Sequence, residues 1–242
     1  MVFRANKDIE MVMKSLKANR FAPVEFVEKA EAVPELVLDI IPAGATVRIA
    51  GSTTIRQLGF HERLMSRGTA VIDITQPGEL SPERRRRLPV DVLLASSNAV
   101  TLDGKLVNID MVGTRVANMI FGPKKVILVI GVNKIVRDVA EAIERIKNTI
   151  APYHAMSLGR KMPCAINGRC TDCQSPDRIC NVTTIIEKKP SDTDIAIVVV
   201  GEDLGLGWDP GWPKERKDRI WSVHLETTRA MQELRSAAHH TN

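Results

Sequence analysis

The chain has 242 residues, 44% hydrophobic and 26% charged. That composition excludes disorder as the main state, because such a chain can bury enough apolar surface to offset its ordering entropy. The balance of 34 Lys and Arg against 29 Asp and Glu, without basic residues interleaved among aromatics, argues against nucleic acid as a partner. No apolar run approaches the ~20 residues that span a bilayer, and MVFRANKDIE lacks the apolar stretch of a signal peptide. No membrane span and a cytoplasmic location are therefore expected.

Residues 6–20 predict an amphipathic helix, with Ile9, Val12, Met13 and Leu16 at helical spacing. FAPVEFVEK holds a short extended segment. Residues 32–41 predict a helix with Pro34 in its first turn. The strand TVRIA (46–50) ends at Gly51, a helix is expected over 53–65, and TAVIDI (69–74) is the next strand. Strand, helix and strand of these lengths make a parallel βαβ unit. Arg84 to Arg87 form the only dense basic run; charge runs of this kind are usually a solvated helix face, the alternative being an anion or partner contact. DVLLAS (91–96) reads as a strand buried on both faces. In NAVTLDGKLVNID (98–110), Asp103-Gly104 between two alternating arms is a strong hairpin signal. A short helix over 112–121, a buried strand over 125–130 and a long helix over 135–150 follow. After a cysteine-bearing loop at 162–181 come strands at 182–187 and 195–200. A last helix runs over 214–236, and the tail AAHHTN is expected to fray. The whole reads as one α/β domain over 1–242, an open, mostly parallel sheet flanked by helices.

All four cysteines, Cys164, Cys170, Cys173 and Cys180, fall in one loop with the spacing C-x5-C-x2-C-x6-C. Clustering in a cytosolic chain points to a metal or redox site rather than a disulfide framework. Turn formers surround them, and Arg169 and Arg178 can offset thiolate charge. Four-cysteine zinc sites usually pair two short knuckles, and here only Cys170 and Cys173 are close. The arrangement resembles a 4Fe–4S site more, although it does not match ferredoxin spacing. Zinc, or free or redox-paired thiols, remain the alternatives.

Gly51-Ser52-Thr53-Thr54 sits between a strand and a helix, where backbone N–H groups and hydroxyls can receive an anion. A plain N-cap by Ser52 or Thr53 explains it equally well. Asn98, Thr101, Asp103, Asn108 and Asp110 on the hairpin, with Arg115, are more polar groups than a buried hairpin needs. Asn133 and Lys134 end the next strand at the same carboxyl edge. Open α/β sheets bind ligands outside those strand ends. These three loops are therefore the expected walls of a polar pocket for a small anionic metabolite. His61, His154 and His224 read as isolated, structural or exposed. The cysteine loop enters a strand, so in one parallel sheet it is expected at the opposite, amino edge.

The runs SNAVTLDGKLVNID (97–110), GTRVANMIFGPKKVILVIGVNKIV (113–136) and PCAINGRCTDCQSPDRICN (163–181) resemble the LUD-domain family of lactate utilization proteins, over roughly residues 5–205. The resemblance implies the fold shared by ribose-5-phosphate isomerase, CoA transferases and 5-formyltetrahydrofolate cyclo-ligase. It further implies a redox accessory protein that acts with iron–sulfur partner subunits in oxidising lactate or a related 2-hydroxy acid. By motif position, the ligand site of that fold falls on Gly51, Ser52, Thr53 and residues 98–110. CoA transferases use a glutamate near this hairpin; the nearest acid here, Asp103, lies within the turn. The four-cysteine loop marks a branch of the family. The rival reading is a non-redox enzyme of the isomerase or cyclo-ligase type with structural zinc, and a third is a regulatory or assembly module.

Overall fold

The computed structural model describes residues 6–73, 76 and 81–239. Its first half comprises α1 (Asn6–Ala18), β1 (Val24–Val27), α2 (Val33–Ile40), β2 (Thr46–Ile49), α3 (Thr53–Gln57), α4 (Phe60–Ser66), β3 (Ala70–Asp73), α5 (Pro82–Arg87) and β4 (Val92–Ala95). The middle holds β5 (Ala99–Thr101), β6 (Leu106–Asp110), α6 (Thr114–Ile120), β7 (Lys125–Gly131), β8 (Ile135–Val136) and α7 (Val139–Arg145). α8 (Ala151–Ser157), α9 (Pro163–Asn167), β9 (Val182–Ile186), β10 (Asp194–Val200) and α10 (Lys214–His239) complete it.

The apolar strands β2, β4, β7 and β10 form the centre of a six-stranded sheet in the order β1-β10-β7-β4-β2-β3. Every pairing in it is parallel, so the carboxyl ends of all six strands share one edge. Alternate residues serve opposite layers, as the two-residue period of a strand requires. Val47, Ile49, Leu94, Ile127, Val129 and Val198 pack with Val37, Ile55, Phe60 and Leu64 of α2–α4. Leu93, Ala95, Val126, Leu128, Ile197 and Val199 pack with Val12 and Leu16 of α1 and with Val100, Leu106 and Ile186. The expected open parallel sheet flanked by helices is therefore the architecture.

The hairpin and the strand after the cysteine loop do not join that sheet. They form a second sheet, β8-β5-β6-β9. β9 runs antiparallel to β6, with Asp110 opposite Val182 and Leu106 opposite Ile186. Four of its five residues are exposed or half-exposed and only Ile186 is buried, the pattern of an edge strand rather than a doubly covered one. The back of this sheet (Ala99, Val107, Ile109 and Val136) packs on Ala142, Ile146, Ile150 and Trp208.

Two expected helices also differ. The one over 53–65 breaks at Gly59, whose left-handed backbone (φ +63°) separates α3 from α4. The one over 135–150 starts later, because Ile135 and Val136 pair with Val100 and Thr101 as β8. Asp138 then caps α7, its Oδ1 accepting the Glu141 N–H at 2.8 Å. A π-helical turn over Ile146–Ile150 carries the rod on into α8. α10 reaches His239, past the expected end at 236. Ile74 and residues 240–242 of the tail lie outside the described residues. Among the described residues no helix is long and apolar enough to cross a membrane.

Candidate functional site

A cavity of about 340 Å³ opens at the carboxyl edge of the large sheet, where the second sheet, α8 and the cysteine loop close over it. Of the residues expected at the pocket, Gly51, Ser52, Thr53, Thr54, Asn98, Asp110, Arg115 and Lys134 line it. Thr101, Asp103, Asn108 and Asn133 are not part of its wall. Thr101 and Asp103 bond to each other at the hairpin tip, where Lys105 pairs with Asp103 at 3.0 Å. The tip lies against α1: a Cβ on Gly104 would come within 2.8 Å of the Ser15 backbone. Asn133 holds the segment after β10, donating to the Gly207 carbonyl at 3.0 Å and accepting the Leu204 N–H at 3.0 Å.

Asn108 and Asn98 belong to a web centred on Arg115. The Arg115 guanidinium donates to Asp110 (3.2 Å), the Ser96 carbonyl (3.1 Å), Asn108 Oδ1 (2.9 Å), Asn98 Oδ1 (2.9 Å) and the Ile109 carbonyl (2.9 Å). A guanidinium has five N–H groups, so none is left for a ligand. Asn98 Oδ1 also accepts the Ile109 N–H, and Asn108 Oδ1 accepts the Asn98 N–H, which ties the two arms of the hairpin together.

Lys134 is 5% exposed. Its Nζ donates to Thr54 Oγ1 at 2.8 Å and Ser96 Oγ at 2.7 Å, and among the described residues it has no carboxylate partner. Burial, with the nearby Arg115 charge, pushes its pKa down to about 7. Gly205 makes this contact possible. A Cβ there would stand 2.4 Å from Thr54 Oγ1 and 3.2 Å from Lys134 Nζ. A Cβ on Gly51 would meet nothing within 4 Å. Ser52 holds the N-cap position of α3 but its side chain makes no capping bond.

His154 and His224 are not isolated. Both line the cavity, with His154 Nδ1 and His224 Nε2 3.4 Å apart and Ser157 Oγ 3.1 Å from His224 Nε2. Burial first, then the charges of Arg115 and Arg160, pushes His154 down to about 4. Burial, His154 and Lys134 push His224 down to about 3. Both rings are neutral at neutral pH. Their separation of 70 residues hid the pair from sequence reading, which had only two single histidines to weigh. His61, also read as isolated, lies 3.4 Å from Asp73. The basic run is not wholly solvated: Arg85 donates to the Asp73 and Gln76 carbonyls, and Arg86 lines the cavity.

The cysteine loop is at the cavity, not at the opposite edge. Ile179 and Cys180 form part of the wall that includes Ser52 and Asn98. The reason is the second sheet. Because β9 runs antiparallel to β6, the loop entering β9 meets the end of β6, where the Asn181 N–H donates to the Asp110 carbonyl at 3.0 Å. All four thiols are free of disulfides. Burial and then the charges of Cys173, Cys180 and Cys170 push the Cys164 thiol up, so the four are within electrostatic reach of one another. Burial also pushes Cys180 up, against the Arg178 charge. Arg178 braces the loop, donating to the Cys173 carbonyl at 2.6 Å and the Cys180 carbonyl at 3.2 Å. Four soft thiolates suit zinc or an iron–sulfur cluster as a donor set. Their side chains do not converge: among the described residues no group of three or more His, Cys, Asp or Glu is placed to hold a metal ion.

No curated protein sequence matches the chain. Among solved structures it is similar to a DUF162 family protein from Deinococcus radiodurans, with 13% identity and a TM-score of 0.47 over 81% of this chain and 97% of that one. It is also similar to ribose 5-phosphate isomerase A from Methanocaldococcus jannaschii, with 16% identity and a TM-score of 0.29 over 57% of this chain and 58% of that one. The family model described as the LUD domain matches residues 9–200, which span both sheets, the cavity floor and the cysteine loop, and the chain belongs to that family.

Proposed function

We propose that this LUD-domain chain holds a small organic acid, a 2-hydroxy acid such as lactate or its 2-oxo counterpart, in the central cavity, and works beside redox partner subunits that interconvert the two. The charge of the wall carries this reading. Arg48, Arg86, Arg115, Lys134 and Arg160 line the cavity, and among the described residues of the wall Asp110 is the single carboxylate against them. A volume of about 340 Å³ suits a small metabolite, being near the lower end of the roughly 300–1,000 Å³ of ligand pockets. Arg115 supplies fixed charge and shape, since its donors are spent. The hydroxyls of Ser52 and Thr53 and the guanidiniums of Arg86 and Arg160 have donors left to touch a carboxylate among the described residues.

In the same reading Cys164, Cys170, Cys173 and Cys180 are the thiolate ligands of a 4Fe–4S cluster, with zinc as the rival occupant. A bound cluster would supply one-electron transfer to a partner. With all four thiolates serving as its ligands, the cluster would keep no place for the organic acid, which meets the chain's own residues. Arg178 would balance thiolate charge from behind the loop.

Anaerobically purified protein tests both halves. About four iron and four sulfide per chain are expected, and L-lactate and pyruvate should each raise the melting temperature in proportion to occupancy. One zinc without sulfide would replace the cluster by a structural metal. No response to either acid would remove the ligand assignment.

A further inference from the structure

Among the described cationic groups of the wall, Lys134 is the one whose chemistry exceeds charge balance. Its amine is buried, faces no carboxylate among the described residues, and is held by two hydroxyls, Thr54 Oγ1 at 2.8 Å and Ser96 Oγ at 2.7 Å. Neither acceptor stabilises an ammonium as a carboxylate would. A neutral amine has two N–H groups and one lone pair. Both N–H groups are taken up by the hydroxyls, and the lone pair is the one function left unused. Gly205 packs so closely that a Cβ would clash with Thr54 Oγ1, which fixes the amine and its two acceptors as a unit.

We infer that Lys134 is a nucleophilic amine that forms an imine with the carbonyl carbon of a 2-oxo acid bound in the cavity. This rests on the organic-acid reading above and adds a covalent step to it. The amine lone pair forms the new N–C bond while the carbonyl π pair moves to oxygen. One proton passes from nitrogen to that oxygen, giving a carbinolamine. Its hydroxyl leaves with the C–O pair, and, with the second nitrogen proton, departs as water; the imine then takes one proton from solvent. No oxidant or reductant is needed. The wall supplies what the step requires: a depressed amine pKa of about 7, so that the free base is populated, and hydroxyls that can relay the protons. The cationic wall favours the substrate's carboxylate. A 2-hydroxy acid, having no ketone or aldehyde carbonyl at C2, binds without reacting, so the lysine distinguishes the two ends of the redox couple.

Reductive trapping tests the inference. Wild-type protein is incubated with pyruvate, or with glyoxylate, and sodium cyanoborohydride, then digested and mapped by mass spectrometry. Lys134 should carry the reduced adduct at roughly tenfold or more the occupancy of any exposed lysine, as expected of a buried, unprotonated amine. L-Lactate should give no adduct, and Lys134→Arg and Lys134→Met should lose it. Pyruvate binding is measured separately, without reductant, by calorimetry. Binding without an adduct at Lys134, or an adduct spread evenly over surface lysines, overturns the imine and leaves the organic-acid site standing. Absence of both binding and adduct overturns the two together. Because the mapping is done on wild-type protein, a failure of either variant to fold leaves the test intact.

Discussion

The two walls of the cavity are built by opposite means. On the hairpin wall, one arginine satisfies five acceptors from two segments, the 96–98 loop and β6, and every N–H of Arg115 has a partner. On the cysteine wall, four thiols lie within each other's field, yet no three side chains meet at a metal site among the described residues. Arg178 there holds backbone carbonyls and an exposed Asp172 rather than a buried network. The first wall is complete as polypeptide. The second has the donors of a ligand centre and a frame that keeps them near one another. A single chain of contacts joins the cysteine loop to the cavity floor. The route is short: Cys180 adjoins Asn181, which bonds Asp110, which pairs with Arg115, which holds the Ser96 carbonyl above Lys134.

The sharpest way to break this contrast is to remove each arginine. Arg115→Met leaves the half-buried Asp110 without its cationic partner and takes one donor from each of four further acceptors. The expected cost is about 3–5 kcal/mol, as for other broken buried pairs. Arg115→Lys should recover little, since an ammonium cannot reproduce the fork. Arg178→Ala should cost clearly less, because Asp172 is 71% exposed and water can replace much of that interaction and of the two carbonyl contacts. Urea denaturation of the three variants checks this. Equal losses at the two positions would erase the distinction between the walls.

Much of the large sheet was legible in the sequence because β4, β7 and β10 are apolar on both faces, a pattern only doubly covered strands tolerate. The floor was legible for a related reason. Gly51 to Thr54 follow β2 and Lys134 follows β7, and the carboxyl edge of a parallel sheet collects whatever follows its strands. The second sheet was not legible. VTTII at β9 reads as a strand but does not say which partner it takes, and Ile135-Val136 is too short to separate from the helix that follows. That one ambiguity moved the cysteine loop from the cavity to the far edge of the fold. Gly205 was missed as well. Its neighbourhood lacks the spacing of a nucleotide-binding turn, and its close approach to Thr54 and Lys134 is a tertiary contact with no local signature.

The floor makes a prediction of opposite sign. In the unfolded chain Lys134 titrates near 10.4, and in the fold near 7. Between those values the unfolded state binds more protons, so the group's penalty is complete below about pH 7 and disappears as the pH rises toward the unfolded value. Lys134→Met should therefore stabilise the protein by on the order of a few kcal/mol near pH 6–7. The gain should shrink with rising pH. Thermal melts at pH 6, 8 and 10 follow it, and a pH-independent difference would place the amine in a solvated setting. The same variant should lose pyruvate binding, so stability and ligand affinity move in opposite directions at one residue.

The smallest effect concerns Ser52, where a capping role and a ligand role give different numbers. It occupies the N-cap position of α3 with extended backbone (φ −109°, ψ 121°), yet its hydroxyl makes no capping bond. Ser52→Ala should then cost under about 0.5 kcal/mol, where a working cap costs about 1 kcal/mol. Asp138 supplies the internal standard, since its Oδ1 does accept the Glu141 N–H at 2.8 Å. Asp138→Ala should show the full cap cost and leave ligand affinity unchanged, because Asp138 is not part of the cavity wall. Ser52→Ala should do the reverse: near-native stability, and affinity for lactate or pyruvate weakened roughly two- to tenfold, the worth of one neutral hydrogen bond. Were Ser52→Ala to match Asp138→Ala in stability and leave affinity untouched, the turn after β2 would be a helix start and nothing more, and the anion's contacts would have to come from Lys134 and the arginines alone.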